Sequence, residues 1–426
     1  MWRNLHLPSG ESLETSRAKY FPMHYRQLPT AILSAFAVVC GVLETVHAAP
    51  ATKPAEAPEI PAKPGPWGQL ETSPIYLEAP AALLADVPKP NSVPRWSFVE
   101  ADGTTLLALF RRAALPAAMQ QRLLNPKTWT AQDGVITLYP AIPDLVAMTP
   151  EMRGVIYPEL AKTPLNEFHH DPIFILGGID AWLKDTDLSP ETQALIRKMT
   201  YRRGRSLAFS DLRTLLHQAR DDAEVQHIFQ SATRTRTLVA HIKVPAGSDP
   251  KVISDYWTGG RRDSDILPLL ASVAERSYGT SLDIVHLLPP LARRRLYTYP
   301  TPDLATRGRM PDCHWTSLNF FSRSPQDYYL DTRLASHHVI ENYTPIQPPY
   351  RYGDVLFFNN AANETIHSCV FIADDIVYTK NGENSLSPWI LMRLGDVQEI
   401  YLPAPECSMQ GYREKLLQGT VVSGAR

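Results

Sequence analysis

Hydrophobic positions recur at two different periods along the chain, and the dominant period changes near residue 237. Between about 69 and 231 the apolar residues fall mostly three and four apart, the spacing of helices with one buried face. Thr104 to Arg112 (TTLLALFRR) is one such stretch. Thr149-Pro150-Glu151 and Ser189-Pro190-Glu191 each set a capping hydroxyl before a proline at the first helical position, so both predict helix starts. The second of these helices runs through Met199 and ends near Gly204. Ser210-Asp211 opens another with Leu212, Leu215 and Leu216 on one face, and Asp222 to Gln230 makes a further one. Val135 to Tyr139, after the turn Asp133-Gly134, is a short strand candidate.

Beyond residue 237 the pattern moves toward alternation. Leu238 to Val244 reads as a strand, and Asp249-Pro250 caps a helix reaching Trp257. Asp263 to Arg276 is a helix with Ile266, Leu269, Leu270 and Val273 on one face. Pro311-Asp312-Cys313 leads from a loop into a further helical run. Then come strand candidates at Val355 to Phe358, Ile366 to Ile372 and Ile376 to Thr379, the last two joined by a tight turn at Asp374-Asp375. Ser387-Pro388-Trp389 predicts a short helix, and Val397 to Leu402 (VQEIYL) a last strand. The expected class is α+β: a helix packed on an antiparallel sheet, preceded by a mainly helical domain.

Composition narrows this picture. The 426 residues, 44% hydrophobic and 20% charged, are enough for about two or three domains. A formal net charge of −2 gives no reason to expect a nucleic-acid partner. Thr30 to Leu43 is an uncharged apolar run of about 14 residues, short of the ~20 a membrane span needs, with small residues following at Ala48-Ala49. It reads as a signal peptide over 1–48, with Met23 an alternative start, and the protein as exported, periplasmic or secreted. Membrane contact is expected only through this segment, cleaved or retained as an anchor. Cys40, preceded by Val39, does not fit a lipoprotein signal. A Pro/Ala-rich linker covers 49–68, the helical domain 69–235, the second domain 236–410 and a tail 411–426. Removing the signal leaves Cys313, Cys369 and Cys407, an odd number, so at least one thiol lacks an intramolecular partner. A Cys369–Cys407 bridge stays open.

Candidate chemistry is sparse. His169-His170-Asp171 has metal-ligand residue types, but adjacent histidines diverge and no spaced partner follows, so no metal site is assigned. Arg293-Arg294-Arg295 reads as a solvated helix face, with carboxylate binding as the sharper alternative. Cys313 opens a helix, where free N–H groups favour thiolate, and His367 follows 54 residues later on a strand. A histidine beside the thiol would make it nucleophilic near neutral pH. By alternation His367 shares a strand face with Cys369 and Phe371. Thr379 and Asn381 share a face of the next strand, and either could hold the imidazole, whereas Lys380 points the other way.

Three blocks occur in a telling order: Asp312-Cys313 opening a helix, then Gly353-Asp354-Val355-Leu356-Phe357-Phe358, then His367 with Val370-Phe371-Ile372. This order resembles the NlpC/P60 family of papain-like cysteine hydrolases over roughly Leu296 to Leu402, about a quarter of the chain. The resemblance implies cleavage of amide bonds in peptidoglycan stem peptides, with no cofactor. It assigns Cys313 as nucleophile and His367 as general base. Its third polar residue aligns nearest Thr379, with Asn381 as the alternative. It also implies an oxyanion-binding tyrosine ahead of the cysteine, best matched by Tyr299, with the Cys313 N–H as a further donor. Asp312 and Trp315, flanking the thiol, are added as oxyanion or substrate-binding candidates. The family usually continues Asp-Cys-Ser-Gly, whereas this chain has His314-Trp315, which points to a divergent branch. His314 is assigned to the wall of the site, since its side chain leaves the helix about 100° from that of Cys313. Acyl transfer at the same site, and a catalytically inactive domain serving wall binding or scaffolding, are the alternative functions.

Overall fold

Strand Gly68–Leu77 (β1) pairs antiparallel along its whole length with Thr235–Val244 (β2), a partner more than 150 residues away in sequence. Thr280–Asp283 (β3) pairs with the other edge of β2. The computed structural model describes residues 64–85, 93–244, 248–259, 261, 266–275, 280–304 and 308–415. The expected signal segment and most of the linker therefore lie outside the described residues. The linker's last residues are ordered, because Pro64–Gly65 pairs back onto β1. The expected division between residues 235 and 236 falls inside β2. The helical region thus leaves a sheet at Leu77 and returns to it at Thr235, as an insertion between neighbouring strands.

That insertion is less purely helical than its periodicity predicts. Its helices include Gly103–Arg112, Pro150–Leu160, Pro190–Met199, Leu212–Gln218 and Asp222–Ala232. The capping hydroxyls act as expected: Thr149 accepts from the Met152 N–H at 3.3 Å and Ser189 from the Thr192 N–H at 3.2 Å. Two three-stranded antiparallel sheets lie among the helices. One of them corrects the expected helix end at Gly204. The helix stops at Met199, and Gly204, at φ 62°, turns a hairpin between Tyr201–Arg203 and Ser206–Phe209. Arg153, with no exposed surface, donates from Nε to Asp211 at 2.8 Å and from its other nitrogens to the Met148 and Leu145 carbonyls at 2.6 Å. Tyr157 donates to the second Asp211 oxygen at 2.6 Å. His169 is packed edge-on against Tyr157, with centroids 4.5 Å apart, and His170 Nδ1 lies 2.7 Å from the Ala161 carbonyl.

After β3 come helices Pro290–Arg295, Cys313–Leu318 (α1) and Thr332–Asn342 (α2). Strands follow at Tyr343–Ile346 (β4), Val355–Asn359 (β5), Thr365–Ala373 (β6), Ile376–Lys380 (β7) and Trp389–Arg393 (β8). Helix Leu394–Tyr401 (α3) and strand Ser408–Glu414 (β9) complete the domain. The six strands form one antiparallel sheet in the order β4-β9-β5-β6-β7-β8. Mixed helices and antiparallel sheets make the chain α+β, as expected. Thr237 ties the two sheets together: its hydroxyl donates to the Leu391 carbonyl at 3.0 Å and accepts from the Leu391 N–H at 3.1 Å.

The central strands are covered on both faces. Val355, Phe357, Val370 and Leu391 pack in a core with Trp315 and Leu318 of α1. Leu356, Phe358, Cys369 and Phe371 pack in another with Val397, Ile400 and Tyr401 of α3. Two-sided burial explains why these strands read as nearly continuous apolar runs. Three expectations at the C-terminus are corrected. Val397 to Leu402 lies in a helix for most of its length, since Val397, Ile400 and Tyr401 fall on one helical face. Trp389 starts a strand, because its neighbours continue an apolar run that pairs with β7. The supposed tail from 411 includes half of β9, an interior strand of the sheet. Cys369 and Cys407 are both free thiols.

Gly353 and Asp354 build the corner before β5. A Cβ on Gly353, at φ 89°, would lie 2.4 Å from the Phe321 ring. Asp354, 1% exposed, takes two 2.7 Å hydrogen bonds from the fork of Arg413 on β9 and one of 2.6 Å from the Arg351 N–H.

Candidate active site

Cys313 is the first residue of α1. Asp312, in extended conformation, caps the helix by accepting from the Trp315 N–H at 2.7 Å. With six residues the helix has a small macrodipole, so side chains decide the charge state of the thiol. Cys313 is 6% exposed. Burial pushes its thiol up, but the charges of His314 and His367 beside it outweigh this and hold it well below the usual thiol range. Cys369 has no such partner among the described residues. Burial, then the charge on Cys313, pushes its thiol well above the usual range.

His367 has no exposed surface, and its ring stacks face to face on Tyr401 of α3 at 3.9 Å and 4°. Its Nε2 lies 3.1 Å from the Thr379 hydroxyl, which is also 3.2 Å from the Ser368 carbonyl. A hydroxyl has one proton to give. With that proton donated to the carbonyl, Thr379 accepts from His367 Nε2–H, and the neutral ring presents a lone pair at Nδ1. That nitrogen has no nitrogen or oxygen partner among the described residues, and its approach to the sulfur falls short of a well-formed hydrogen bond. Such contacts commonly tighten when substrate binds. Burial pulls the His367 pKa down, and the Cys313 thiolate opposes it.

Thr379, not Asn381, therefore sits at His367. The Asn381 amide lies 3.6 Å from the Met392 sulfur and accepts from the Tyr401 hydroxyl at 3.4 Å. Tyr299 is not brought to the thiol. It packs against the core of the helical insertion, where burial and the charge of Glu78 raise its pKa, and its hydroxyl has no hydrogen-bond partner among the described residues. Trp315 is also corrected: it is 2% exposed and lies beside Trp389 with centroids 6.4 Å apart, under the sheet. Two residues along a helix from Cys313, it points about 200° away. Asp312 keeps its place beside the thiol, where burial raises its pKa.

Three further residues stand at the site: Ser368 and Lys380, which the sequence pattern did not single out for it, and His314, which was assigned only to its wall. His314 lies beside the thiol and its charge favours the thiolate, its Nδ1 lies 3.0 Å from Ser368 Oγ, and its ring stacks on Phe357 with centroids 6.0 Å apart. It lines a cavity of about 260 Å³ together with Asp312, Leu318, Tyr329, Val339 and Tyr412. Ser368 is fully buried, and its hydroxyl is 3.2 Å from the Cys313 carbonyl and 3.1 Å from Ser317 Oγ. Lys380 faces the Asp312–Cys313 side. Its ammonium donates to the Gly382 and Asn384 carbonyls at 2.8 and 2.9 Å, and burial lowers its pKa to about 7. The alternation that puts Thr379 under His367 puts Ser368 and Lys380 on the opposite face, a signal available in the sequence.

No family model matches the chain, and no curated protein or solved structure matches it.

Proposed function

We propose that the chain is an exported cysteine hydrolase with a divergent papain-like domain of the NlpC/P60 kind, cutting amide bonds through an acyl-enzyme. The observation that carries this reading is the contrast between two buried thiols. Cys313 is held low by two imidazoles, one of them anchored by Thr379, while Cys369 is pushed high. A thiol activated at the cost of burying charge is the mark of a nucleophile rather than of a packing residue. Cys313 attacks the amide carbon with His367 as the counter-ion of its thiolate, and water releases the acyl group from the thioester. Peptidoglycan stem peptides as substrate rest on the order of the three motif blocks alone. With Tyr299 elsewhere, the oxyanion role falls to backbone N–H groups at the start of α1.

Alkylation with iodoacetamide, read by mass spectrometry, tests the reading. Cys313 should react far faster than Cys369 and Cys407, with a pH midpoint below the ordinary thiol value. Equal, slow labelling of all three would refute an activated nucleophile. Purified wall fragments digested by wild type and by Cys313→Ala then identify the bond, and matching digests would remove the chemistry from Cys313. The enclosure of Cys313, 6% exposed, favours a second reading in which the acyl group passes to an amine rather than to water. Product masses in the presence of an added amine separate the two.

A further inference from the structure

The thiol meets two imidazoles where one is enough to form an ion pair, and we propose that His314 is the acid that protonates the leaving group while His367 remains the counter-ion. This assignment rests on the reading of Cys313 as a nucleophile that becomes acylated. Access divides the two rings. His367 has no exposed surface, is covered by Tyr401 and is tied at Nε2 to Thr379, so a leaving group has no approach to it. His314 is half-buried and forms part of the cavity wall beside Asp312. Asp312 and His314, the residues on either side of Cys313, both line that cavity, so a group leaving the carbon attached to sulfur has a route past His314.

Ser368 fixes which nitrogen of His314 does the work. With its one proton given to the Cys313 carbonyl at 3.2 Å or to Ser317 Oγ at 3.1 Å, its hydroxyl accepts from Nδ1–H of His314 at 3.0 Å. Nε2 is left as the nitrogen that can carry the transferred proton. The ionisable groups acting with His314 are Asp312 and Cys313 from its own segment and His367 from β6, while β5 contributes the Phe357 ring. Asp312 pairs with protonated His314 and Cys313 thiolate with protonated His367, and the Lys380 amine acts on both Asp312 and Cys313.

The step balances. The sulfur forms a bond to the carbonyl carbon as the C=O pair moves to oxygen. When that pair returns, the C–N bond breaks and the nitrogen takes the proton from His314 Nε2. A thioester, a free amine and a neutral His314 remain. In the second half, water gives a proton to that Nε2 and its oxygen to the carbon, and the C–S bond breaks to restore the thiolate.

Two small alkylating probes isolate the acid step on the full chain. Iodoacetamide needs no proton for its leaving iodide, whereas the epoxide glycidamide needs one for its ring oxygen as sulfur opens it. Both consume the same thiolate, so the ratio of their rates at Cys313 cancels the thiolate population. In His314→Asn the glycidamide-to-iodoacetamide ratio is expected to fall by about 100-fold, the lower end of general-acid contributions, and in His367→Asn to stay within about threefold. Imidazole added to His314→Ala should restore the glycidamide rate by entering from the cavity, with iodoacetamide selectivity for Cys313 reporting an intact fold. An unchanged ratio in His314→Asn, or its collapse in His367→Asn instead, overturns the assignment while leaving the nucleophile in place. Cys313 reacting no faster than Cys369 with either probe in wild type overturns the hydrolase reading and this assignment with it.

Discussion

Replacing Thr379 by valine removes one hydroxyl at nearly constant shape from a site with no exposed surface. Thr379 is the 3.1 Å acceptor for His367 Nε2–H and the 3.2 Å donor to the Ser368 carbonyl. Where His367 carries the proton of the ion pair, the lost hydrogen bond is charge-assisted, worth about 1.5–3 kcal/mol. The valine penalises the imidazolium more than the neutral ring, so the thiolate–imidazolium pair reverts toward thiol and imidazole. The thiol midpoint therefore moves up. At 1.36 kcal/mol per pH unit the expected rise is about 1–2 units. Below the wild-type midpoint this slows alkylation of Cys313 by roughly ten- to a hundredfold. Leaving buried polar groups unpaired also costs about 1–3 kcal/mol of folding stability. The assays are the pH profile of iodoacetamide labelling at Cys313 and urea unfolding, with Thr379→Ser as the variant that keeps the hydroxyl. A Thr379→Val profile that overlays the wild type, in a protein destabilised as expected, would show that His367 carries no charge at the thiol. An undiminished stability would refute the hydrogen bond itself.

Other expectations follow from groups outside that pair. Tyr299→Phe should leave the Cys313 alkylation profile unchanged and unfolding equal to or later than wild type, since its buried hydroxyl has no partner among the described residues. A fall in reactivity would return Tyr299 to the site. Arg153→Met strands the Asp211 carboxylate and two carbonyls, and should cost about 3–5 kcal/mol in urea unfolding. A loss under about 1 kcal/mol would mean that the buried pair relaxes or is hydrated. His169 is a pH probe of folding: burial lowers its pKa from 6.5 to about 4, the charge of Asp211 opposing. Between those values the unfolded chain holds a proton that the native one lacks, so stability drops as pH falls through the window. The drop is about 3 kcal/mol in all, from 2.5 units at 1.36 kcal/mol each. Urea midpoints for His169→Gln should show a shallower acid limb than wild type, and equal slopes would refute the assignment.

Local signals were legible in the sequence, and long-range ones were not. Thr149, Ser189 and Asp249 cap helices where the sequence places them, because a cap is a contract between residues two or three apart. The pairing of β1 with β2 is beyond such reasoning. Gly68–Leu77 carries no sign of its partner, so the helical segment between them read as a domain of its own. Helix α3 failed for a different reason. Six residues with apolar positions at 397, 400 and 401 satisfy a strand and a helix almost equally, and only the need to cover Leu356, Phe358 and Cys369 decides for the helix.

The site divides along the same line. Strict alternation put Thr379 on the face of its strand where it meets His367, and only the reach of Asn381 was left to decide. His314 was set aside by an angular argument that holds in mid-helix, where side chains 100° apart diverge and the preceding turn fills the space between them. At the first two helical positions there is no preceding turn. Both Cα–Cβ bonds tilt toward the open N-terminal end, so side chains of adjacent residues can converge there on one point. Cys313 and His314 occupy those two positions, with Ser368 drawing the imidazole over. For a nucleophile at the first residue of a helix, the residue after it is therefore a candidate partner rather than a wall. The His314 in place of the usual serine of the resembled family is then a change in the chemistry available to the thiol, which the paired-probe experiment measures directly.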